Sequence, residues 1–371
     1  MSQPIRFLLI DSAYPINTRN TKIINSIRDY YGIEYVDISV CAWNRENKMI
    51  PVPDYYYVYK KESPGGKLLK KLYNLFGYYS FCRKINKQLH PRIIIASHWD
   101  MLLVSSIFKK KNQVLIYENL DIPSTISNYL LRVLKLVERF AMRNTDMIVF
   151  ASRFFEPLYR SRRCVQVTLE NKPVFVTTKE MPLEVFTKKK LQISYIGGIR
   201  YLEILKNLVS AVRNDPNIDL YFHGEGHDLE VLKQYCRESD NIYFTGRYEY
   251  QDIEQFYERA DLVWAAYPNK DYNVKYAISN KFHESMHYNV PCVFSEDTCL
   301  GDLVEKEKIG FTIDPYSIGN IRDLFEQVLQ SPETLLTIKY NLQGYTQIEK
   351  GWEVQFANFA STLDKMLATQ R

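Results

Sequence analysis

Two glycine-rich turns in the second half of the chain have the residue types of a phosphate-binding loop. Gly197-Gly198 and Gly224-Glu225-Gly226 each follow a run of β-branched and aromatic residues that predicts a buried strand. Glycines let the backbone approach a phosphate closely, and a helix N-terminus behind the turn adds positive potential. One such turn alone is more often an ordinary strand end. Two of them in one region favour a site for a phosphorylated ligand.

Polar residues also end several predicted strands in the first half of the chain. Asp11, His98 and Glu118 each stand where an apolar run stops. In open parallel sheets, ligands bind beyond the carboxyl ends of the strands. These three residues are therefore candidates for a second site, although a histidine at a strand end is as often a satisfied structural residue.

Such residues need parallel sheets to position them. Strand and helix patterns alternate from IRFLLID (5–11) and again from LQISYIGG (191–198), which predicts a doubly wound α/β class. Residues 44–66 look irregular, and the weak pattern at about 170–190 reads as a linker. With 371 residues, two domains are expected, over 1–172 and 190–350.

Composition excludes several classes of protein. A net charge of +5 is too small to predict nucleic-acid binding, and the six cysteines have neither zinc-site nor disulfide-framework spacing. No apolar run reaches the roughly 18 residues that span a bilayer, and the first residues do not read as a signal peptide. A cytoplasmic protein is expected, with peripheral binding to the inner face of the plasma membrane left open.

Residues 67–92 have an unusual charge pattern. No acidic residue lies between Glu62 and Asp100, whereas several lysines and arginines flank an apolar helical stripe. This pattern is typical of a helix that binds anionic lipid headgroups. A solvated basic face over a buried stripe is the alternative.

The second half resembles the GT-B glycosyltransferases that use nucleotide sugars with retention and build bacterial surface polysaccharides, known as glycosyl transferases group 1. The resemblance covers about 191–315 and is carried by SYIGGIRYLEILKNLVSAV, FHGEGHDLEVLK, RADLVWAAYP and ISNKFHESMHYNVPCVFS. It implies two Rossmann-like domains facing across a cleft, the first for the acceptor and the second for the nucleotide sugar. The last helix, about 352–371, would pack back on the first domain.

The same resemblance implies roles for residues at matching positions. Arg200 and Lys206 would pair with the donor diphosphate, where fixed cations stabilise the leaving group without a metal. Glu284 would accept hydrogen bonds from the ribose hydroxyls. His98 would lie near the transferred sugar and act with the two cations in catalysis. The other donor-side residues would be Gly198, Gly224, Gly226, Asn280 and Lys281, and the acceptor-side residues Asp11, Asn17, Arg19 and Glu118.

The sequence departs from the family pattern at one position. Tyr276 stands eight residues before Glu284, where the family often has a second glutamate facing the sugar. The sugar contact would pass to the loop 277–281, which leaves the identity of the sugar open. No carboxylate is recognisable as a nucleophile, so retention follows from the resemblance alone. No metal ligand set and no other cofactor is expected.

The expected function is transfer of a sugar, with UDP as the first choice of nucleotide, to a lipid-linked or glycan acceptor of capsule or lipopolysaccharide. One alternative is an epimerase or a phosphorylase, although no pyridoxal-binding lysine motif is visible. A second is an inactive scaffold that binds a nucleotide sugar or a partner protein. An NAD-dependent dehydrogenase is disfavoured because no Gly-x-Gly-x-x-Gly follows the first strand.

Overall fold

The chain folds into two units, one of Met1–Asn171 with Trp352–Arg371 and one of Lys172–Gly351. The computed structural model describes residues 4–45, 49–62, 68–124, 127–159, 164–173 and 190–369, without side chains at 68–72 and 128. The linker predicted at about 170–190 lies outside the described residues from 174 to 189. The predicted last helix belongs to the first unit.

The first unit is built on a sheet of seven parallel strands in the order β3-β2-β1-β4-β5-β6-β7. The central strands are buried along their whole length, because helices cover both faces of a parallel sheet. The strands are β1 (Ile5–Asp11), β2 (Val36–Asn44), β3 (Tyr56–Lys60), β4 (Ile93–Ser97), β5 (Val114–Asn119), β6 (Met147–Phe150) and β7 (Val165–Thr168).

Five helices accompany this sheet. Helix α1 begins where the Asn17 side chain accepts a hydrogen bond from the Asn20 N–H, and ends at Gly32, whose φ is 86°. Helices α1 and α13 pack on the sheet face that carries Phe7, Leu9 and their neighbours. The five are α1 (Thr18–Tyr31), α2 (Leu68–Leu89), α3 (Trp99–Phe108), α4 (Asn128–Ala141) and α13 (Trp352–Thr369), with short 3₁₀ turns at Met142–Asn144 and Glu156–Tyr159.

The second unit repeats the plan with six parallel strands in the order β10-β9-β8-β11-β12-β13. Its strands are β8 (Leu191–Ile196), β9 (Ile218–His223), β10 (Ile242–Gly246), β11 (Leu262–Trp264), β12 (Cys292–Ser295) and β13 (Phe311–Ile313). Its helices are α5 (Leu202–Val212), α6 (Leu229–Tyr235), α7 (Ile253–Arg259), α8 (Tyr272–Tyr276), α9 (Asn280–Tyr288), α10 (Cys299–Glu307), α11 (Ile318–Gln330) and α12 (Glu333–Ile348), with a 3₁₀ turn at Tyr250–Asp252.

One prediction about the first unit was wrong. Residues 44–66 were expected to be irregular, but Tyr56–Lys60 forms β3 at the edge of the sheet, paired in parallel with β2. Its side chains are half-buried, because an edge strand has only one neighbour. The run therefore lacks the fully apolar character by which the central strands were predicted.

Both sheets reverse their strand order once, between β1 and β4 in the first unit and between β8 and β11 in the second. At such a point the connections leave on opposite faces, which opens a crevice at the carboxyl ends of the two strands. The predicted turn at 197–198 follows β8, and His98 follows β4. The fold thus brings the sequence candidates to the reversal points of their sheets.

The C-terminal helix should be essential to the stability of the first unit. Trp352 is buried and its Nε1–H donates to Ser26 Oγ at 2.9 Å. We expect Trp352→Ala to lower the free energy of unfolding of this unit by about 3–5 kcal/mol, measured by urea titration. Val354→Ala on the exposed side of the same helix should change it by less than about 0.5 kcal/mol. Equal effects of the two changes would contradict this packing.

Candidate functional site

The two glycine turns of the second unit lie directly against each other. Gly197 donates its N–H to His223 O at 2.9 Å, and Gly224 has a φ of 133° that only glycine adopts readily. A Cβ at Gly224 would stand 2.0 Å from Gly197 O, and one at Gly226 would stand 2.1 Å from Ile199 O. Gly224 and Gly226 are therefore required by packing. Gly198 is exposed, with open space at its Cβ position.

The turn after β8 also lies beside the N-terminal end of α9. The Cβ position of Gly197 is 3.9 Å from Lys281 Cε. Ser279 caps α9 by accepting a hydrogen bond from the Lys281 N–H at 3.2 Å. The N-terminus of α9 thus adds positive potential next to the turn. The structure brings the predicted donor-side glycine turn and the predicted donor-side helix together.

A buried ion pair occupies this end of α9. Lys281 Nζ donates to Glu284 Oε2 at 2.9 Å, and the Tyr257 hydroxyl donates to the same oxygen at 2.7 Å. The spacing of three residues places Lys281 and Glu284 on one face of the helix. Both side chains are almost completely buried. Burial alone would lower the pKa of Lys281, but the Glu284 carboxylate and Tyr267 outweigh burial and raise it. The ammonium is therefore always charged.

The two predicted catalytic cations of this unit have separate partners. Arg200 is exposed and its Cζ lies 5.0 Å from the ring centre of Tyr201, just before α5 begins. Lys206 Nζ lies 5.0 Å from the ring centre of Tyr235 on α6. Arg200 therefore lies next to the glycine turn, whereas the Lys206 ammonium is held further along α5. Their predicted joint contact with a diphosphate stays a prediction.

Asn280 is the first residue of α9 and is exposed. Tyr276, the departure from the family pattern, ends the short helix α8, and its ring centre lies 5.3 Å from that of Tyr272. The segment 277–279 therefore runs from α8 into α9. The predicted passing of the sugar contact to residues 277–281 stays a prediction.

The four acceptor-side residues of the first unit meet in one polar network. Arg19 Nε donates to Glu118 Oε1 at 2.7 Å, and Asn17 Nδ2 donates to Asp11 Oδ2 at 3.3 Å. Asn20 Nδ2 donates to Asp11 Oδ2 at 2.7 Å. Asp11, Arg19 and Glu118 are fully buried, and burial raises the pKa of Asp11. These three side chains hold the strand ends in place and have almost no surface left for a ligand.

His98 lies at the rim of this network with a strained backbone. Its φ is 70° and its N–H donates to Glu118 O at 3.1 Å, so α3 starts directly behind it. A side chain with positive φ costs energy, and such residues concentrate at functional sites. The His98 side chain is half-exposed, which makes it the residue of this group best placed to meet a ligand.

Sequence reasoning missed two members of the first-unit network. Asn20 and Ser97 exchange hydrogen bonds at 2.7 and 3.1 Å, and Ser97 Oγ donates to Glu118 Oε2 at 2.5 Å. Ser97 precedes His98 at the end of a predicted strand, which is the signal that could have found it. Asn20 carries no local signal, because its partners lie far away in the sequence.

Two further features concern metals and membranes. Among the described residues, no group of three or more His, Cys, Asp or Glu side chains is arranged to hold a metal ion. In the same part of the chain, no helix is both long and apolar enough to cross a membrane.

Residues 176–344 match the model of one protein family, the glycosyl transferases group 1. The match spans both glycine turns, Arg200, Lys206 and the Lys281–Glu284 pair. The chain is a glycosyltransferase. The resemblance deduced from the sequence is confirmed for this glycosyltransferase, and no curated protein matches it by sequence.

Solved structures share the fold of this glycosyltransferase along its whole length. Sucrose-phosphate synthase from Thermosynechococcus elongatus aligns with a TM-score of 0.73 at 14% identity, over 99% of this chain and 100% of that one. HepE of Anabaena in complex with UDP and glucose gives 0.69 at 16%, over 97% and 100%. The lipopolysaccharide outer core galactosyltransferase WaaB gives 0.64 at 14%, over 97% and 99%. The predicted α/β fold of the GT-B class is confirmed.

The Lys281–Glu284 pair should be costly to break. We expect Lys281→Met to lower the free energy of unfolding by about 3–5 kcal/mol, because it leaves the Glu284 carboxylate buried without its cation. Lys281→Met combined with Glu284→Gln should be less destabilised than the sum of the single changes, measured in a double-mutant cycle by urea unfolding. Lys306→Met, which removes an exposed pair with Glu307, is the control and should change little. Additive single changes would contradict a coupled pair.

His223 should make the second unit sensitive to acid. Burial, followed by the charge of Arg259, lowers the pKa of His223 from 6.5 to about 4. The unfolded chain therefore takes up a proton below pH 6.5 that the folded chain refuses, so stability is full above that pH. It falls by up to about 3 kcal/mol as the pH drops toward 4.

This pH dependence is measured by chemical unfolding between pH 7 and 4. His223→Gln should flatten the loss of stability, and His227→Gln, whose side chain is 78% exposed, should leave it unchanged. A His223→Gln profile as steep as that of the wild type would show that other groups cause the loss.

Proposed function

We propose that this glycosyltransferase transfers a sugar from a UDP-sugar to a lipid-linked or oligosaccharide acceptor during the assembly of a bacterial surface polysaccharide such as capsule or lipopolysaccharide. The second unit binds the donor and the first unit the acceptor. The transfer proceeds with retention and needs no metal ion.

One observation carries the donor part of the proposal. The glycine turn of β8, with Arg200 behind it, lies within van der Waals distance of Lys281 at the N-terminal end of α9. Exposed backbone at Gly198, an arginine and a helix N-terminus are the three kinds of group that bind a diphosphate. They meet where the sheet reverses its strand order, the usual place of a nucleotide in a doubly wound fold.

Each residue has a distinct part in the proposed donor site. Arg200 stabilises the charge that the diphosphate gains when the glycosidic bond breaks. Lys281 and Tyr257 bond to Oε2 of Glu284, so Oε1 is the oxygen that would accept from a ribose hydroxyl. Lys281 thereby positions Glu284. Lys206 joins Arg200 at the diphosphate only if its side chain leaves Tyr235.

His98 is the proposed contact of the first unit with the transferred sugar. Its strained backbone and half-exposed side chain lie above the fixed network of Asp11, Arg19 and Glu118. With retention and no protein nucleophile, the donor phosphate itself accepts the proton of the attacking hydroxyl. The protein then needs only to position the two substrates and to stabilise the leaving group.

The related structures support the choice of substrates. HepE is described with UDP and glucose, and WaaB as a galactosyltransferase of the lipopolysaccharide outer core. A lipid-linked acceptor also gives a purpose to the basic segment 67–92, which we propose binds an anionic membrane surface. In this segment Arg83, Lys84 and Lys87 are exposed on α2, while Lys67 lies outside the described residues.

The donor site is tested by thermal shift with UDP, GDP and ADP. We expect UDP to raise the Tm of the wild type, because a ligand of the folded state stabilises by mass action. Arg200→Ala should weaken UDP binding by roughly ten- to a hundredfold, the value of a charged hydrogen bond, without lowering the Tm of the free protein. Arg237→Ala, an exposed arginine on the same unit, is the matched control and should bind UDP normally.

The outcomes separate the alternatives. A Tm shift with no nucleotide, or an equal shift in Arg200→Ala, would overturn the donor site. Binding of UDP-sugar without release of UDP in the presence of acceptors would favour the scaffold. The anomeric configuration of the product, determined by NMR, tests retention, and turnover in EDTA tests metal independence.

A further inference from the structure

Helix α4 carries an apolar stripe that is exposed to solvent. Tyr129, Val133, Leu136 and Phe140 recur at helical spacing and are exposed by 78, 36, 61 and 57%. Leu130 widens the stripe, with 45% exposure. We call these five residues the α4 face. Single exposed apolar residues are ordinary, but five on one helix form a patch that a protein keeps for a partner.

The opposite side of α4 fixes this orientation. Glu138 is buried and accepts hydrogen bonds from the hydroxyls of Tyr117 at 2.8 Å and Tyr159 at 2.7 Å. Ala141 is also buried. A rotation that buried the α4 face would pull the Glu138 carboxylate away from both tyrosines, so the stripe points outward for a structural reason.

The charges around the α4 face have one sign. Arg132, Arg139 and Arg143 are exposed beside it, and Glu138, the only acid of the helix, is buried on the other side. An apolar stripe of Tyr, Leu and Phe flanked by arginines is the pattern of a helix that lies in the interface of an anionic bilayer. The apolar side chains enter the acyl boundary while the arginines meet the headgroups.

The neighbouring helices continue this surface. Helix α3 packs against both α2 and α4. Its Ile107 is exposed, and the rings of Phe76, Tyr79 and Phe108 form a chain of contacts from α2 to α3 at 6.0 and 6.2 Å. The exposed ring of Phe76 thus extends the surface onto α2, which carries exposed Arg83 and Lys84.

We propose that the α4 face is the main apolar anchor by which the protein binds an anionic membrane, with α2 adding charge beside it. Nothing in the sequence pattern of residues 67–92 pointed to α4. The inference deepens the proposed function and rests on its lipid-linked acceptor, since docking would bring the first unit to a substrate held in the membrane.

The test is flotation of the full chain with vesicles of phosphatidylcholine, with and without about 30% phosphatidylglycerol, in the absence of nucleotide. We expect binding to the anionic vesicles and its loss at high salt. Leu136→Glu combined with Phe140→Glu should reduce the partition coefficient by at least roughly tenfold, because two buried apolar groups are replaced by charges that anionic lipid repels. Tyr340→Glu with Ile348→Glu, two exposed apolar residues of α12, is the matched control and should bind like the wild type.

A second pair of variants removes charge alone. Arg132→Glu with Arg139→Glu should reduce binding to anionic vesicles by roughly thirtyfold or more, whereas Arg237→Glu with Arg322→Glu in the second unit should have little effect. Because all these side chains are exposed, the variants should keep the Tm of the wild type, which is measured alongside.

Three results would overturn the proposal: no binding of the wild type to anionic vesicles, unchanged binding of both α4 variants, or a wild-type oligomer that the Leu136 and Phe140 changes convert to a monomer. The last result would identify a protein interface. Failure of docking is distinguishable from failure of the donor site. Arg200→Ala should float with vesicles like the wild type, and the α4 variants should keep their Tm shift with UDP.

Discussion

The parallel direction of the strands is the constraint on which both candidate sites depend. Because all strands of a sheet run one way, their carboxyl ends form one edge, and every residue that follows a strand is brought to that edge. Each sheet then reverses its order once, and the connecting helices diverge there. His98 and Gly198 reach their positions for this reason, although the two residues belong to different sheets and have unrelated sequence surroundings.

Burial then divides the polar residues at these edges into two kinds. A carboxylate taken out of water needs partners, and Glu118 finds them in Arg19 and Ser97, while Glu284 finds them in Lys281 and Tyr257. A group whose bonds are used in this way is a fixed part of the frame. The residues that keep surface for a ligand lie one step outward, as His98 and Arg200 do. Preorganisation of such a rim by a fixed frame limits the reorganisation needed when substrate binds.

The sequence predicts the central strands and the donor-side turns well, because their signals are local. A continuous apolar run such as IIIAS, or a pair of glycines after a strand, is visible within ten residues. The half-exposed strand β3 lacks that signal and was missed. Networks fare worse, since Arg19 and Glu118 are 99 residues apart and Asn20 and Ser97 are 77 apart. Only the fold decides that such residues meet, so the sequence proposed Arg19 and Glu118 as acceptor contacts without showing that they satisfy each other.

The same accounting of buried charge explains the surface of α4. Its sequence, NYLLRVLKLVERFA, contains basic and acidic residues and reads as an ordinary amphipathic helix whose apolar stripe meets the core. The hydroxyls of Tyr117 and Tyr159 instead draw Glu138 inward, because together they satisfy a carboxylate that would otherwise be costly to bury. Once Glu138 faces the core, the helical repeat turns Tyr129, Leu136 and Phe140 outward and leaves only arginines as the exposed charges beside them. One satisfied acid thus sets both the orientation of the helix and the sign of the surface that it presents.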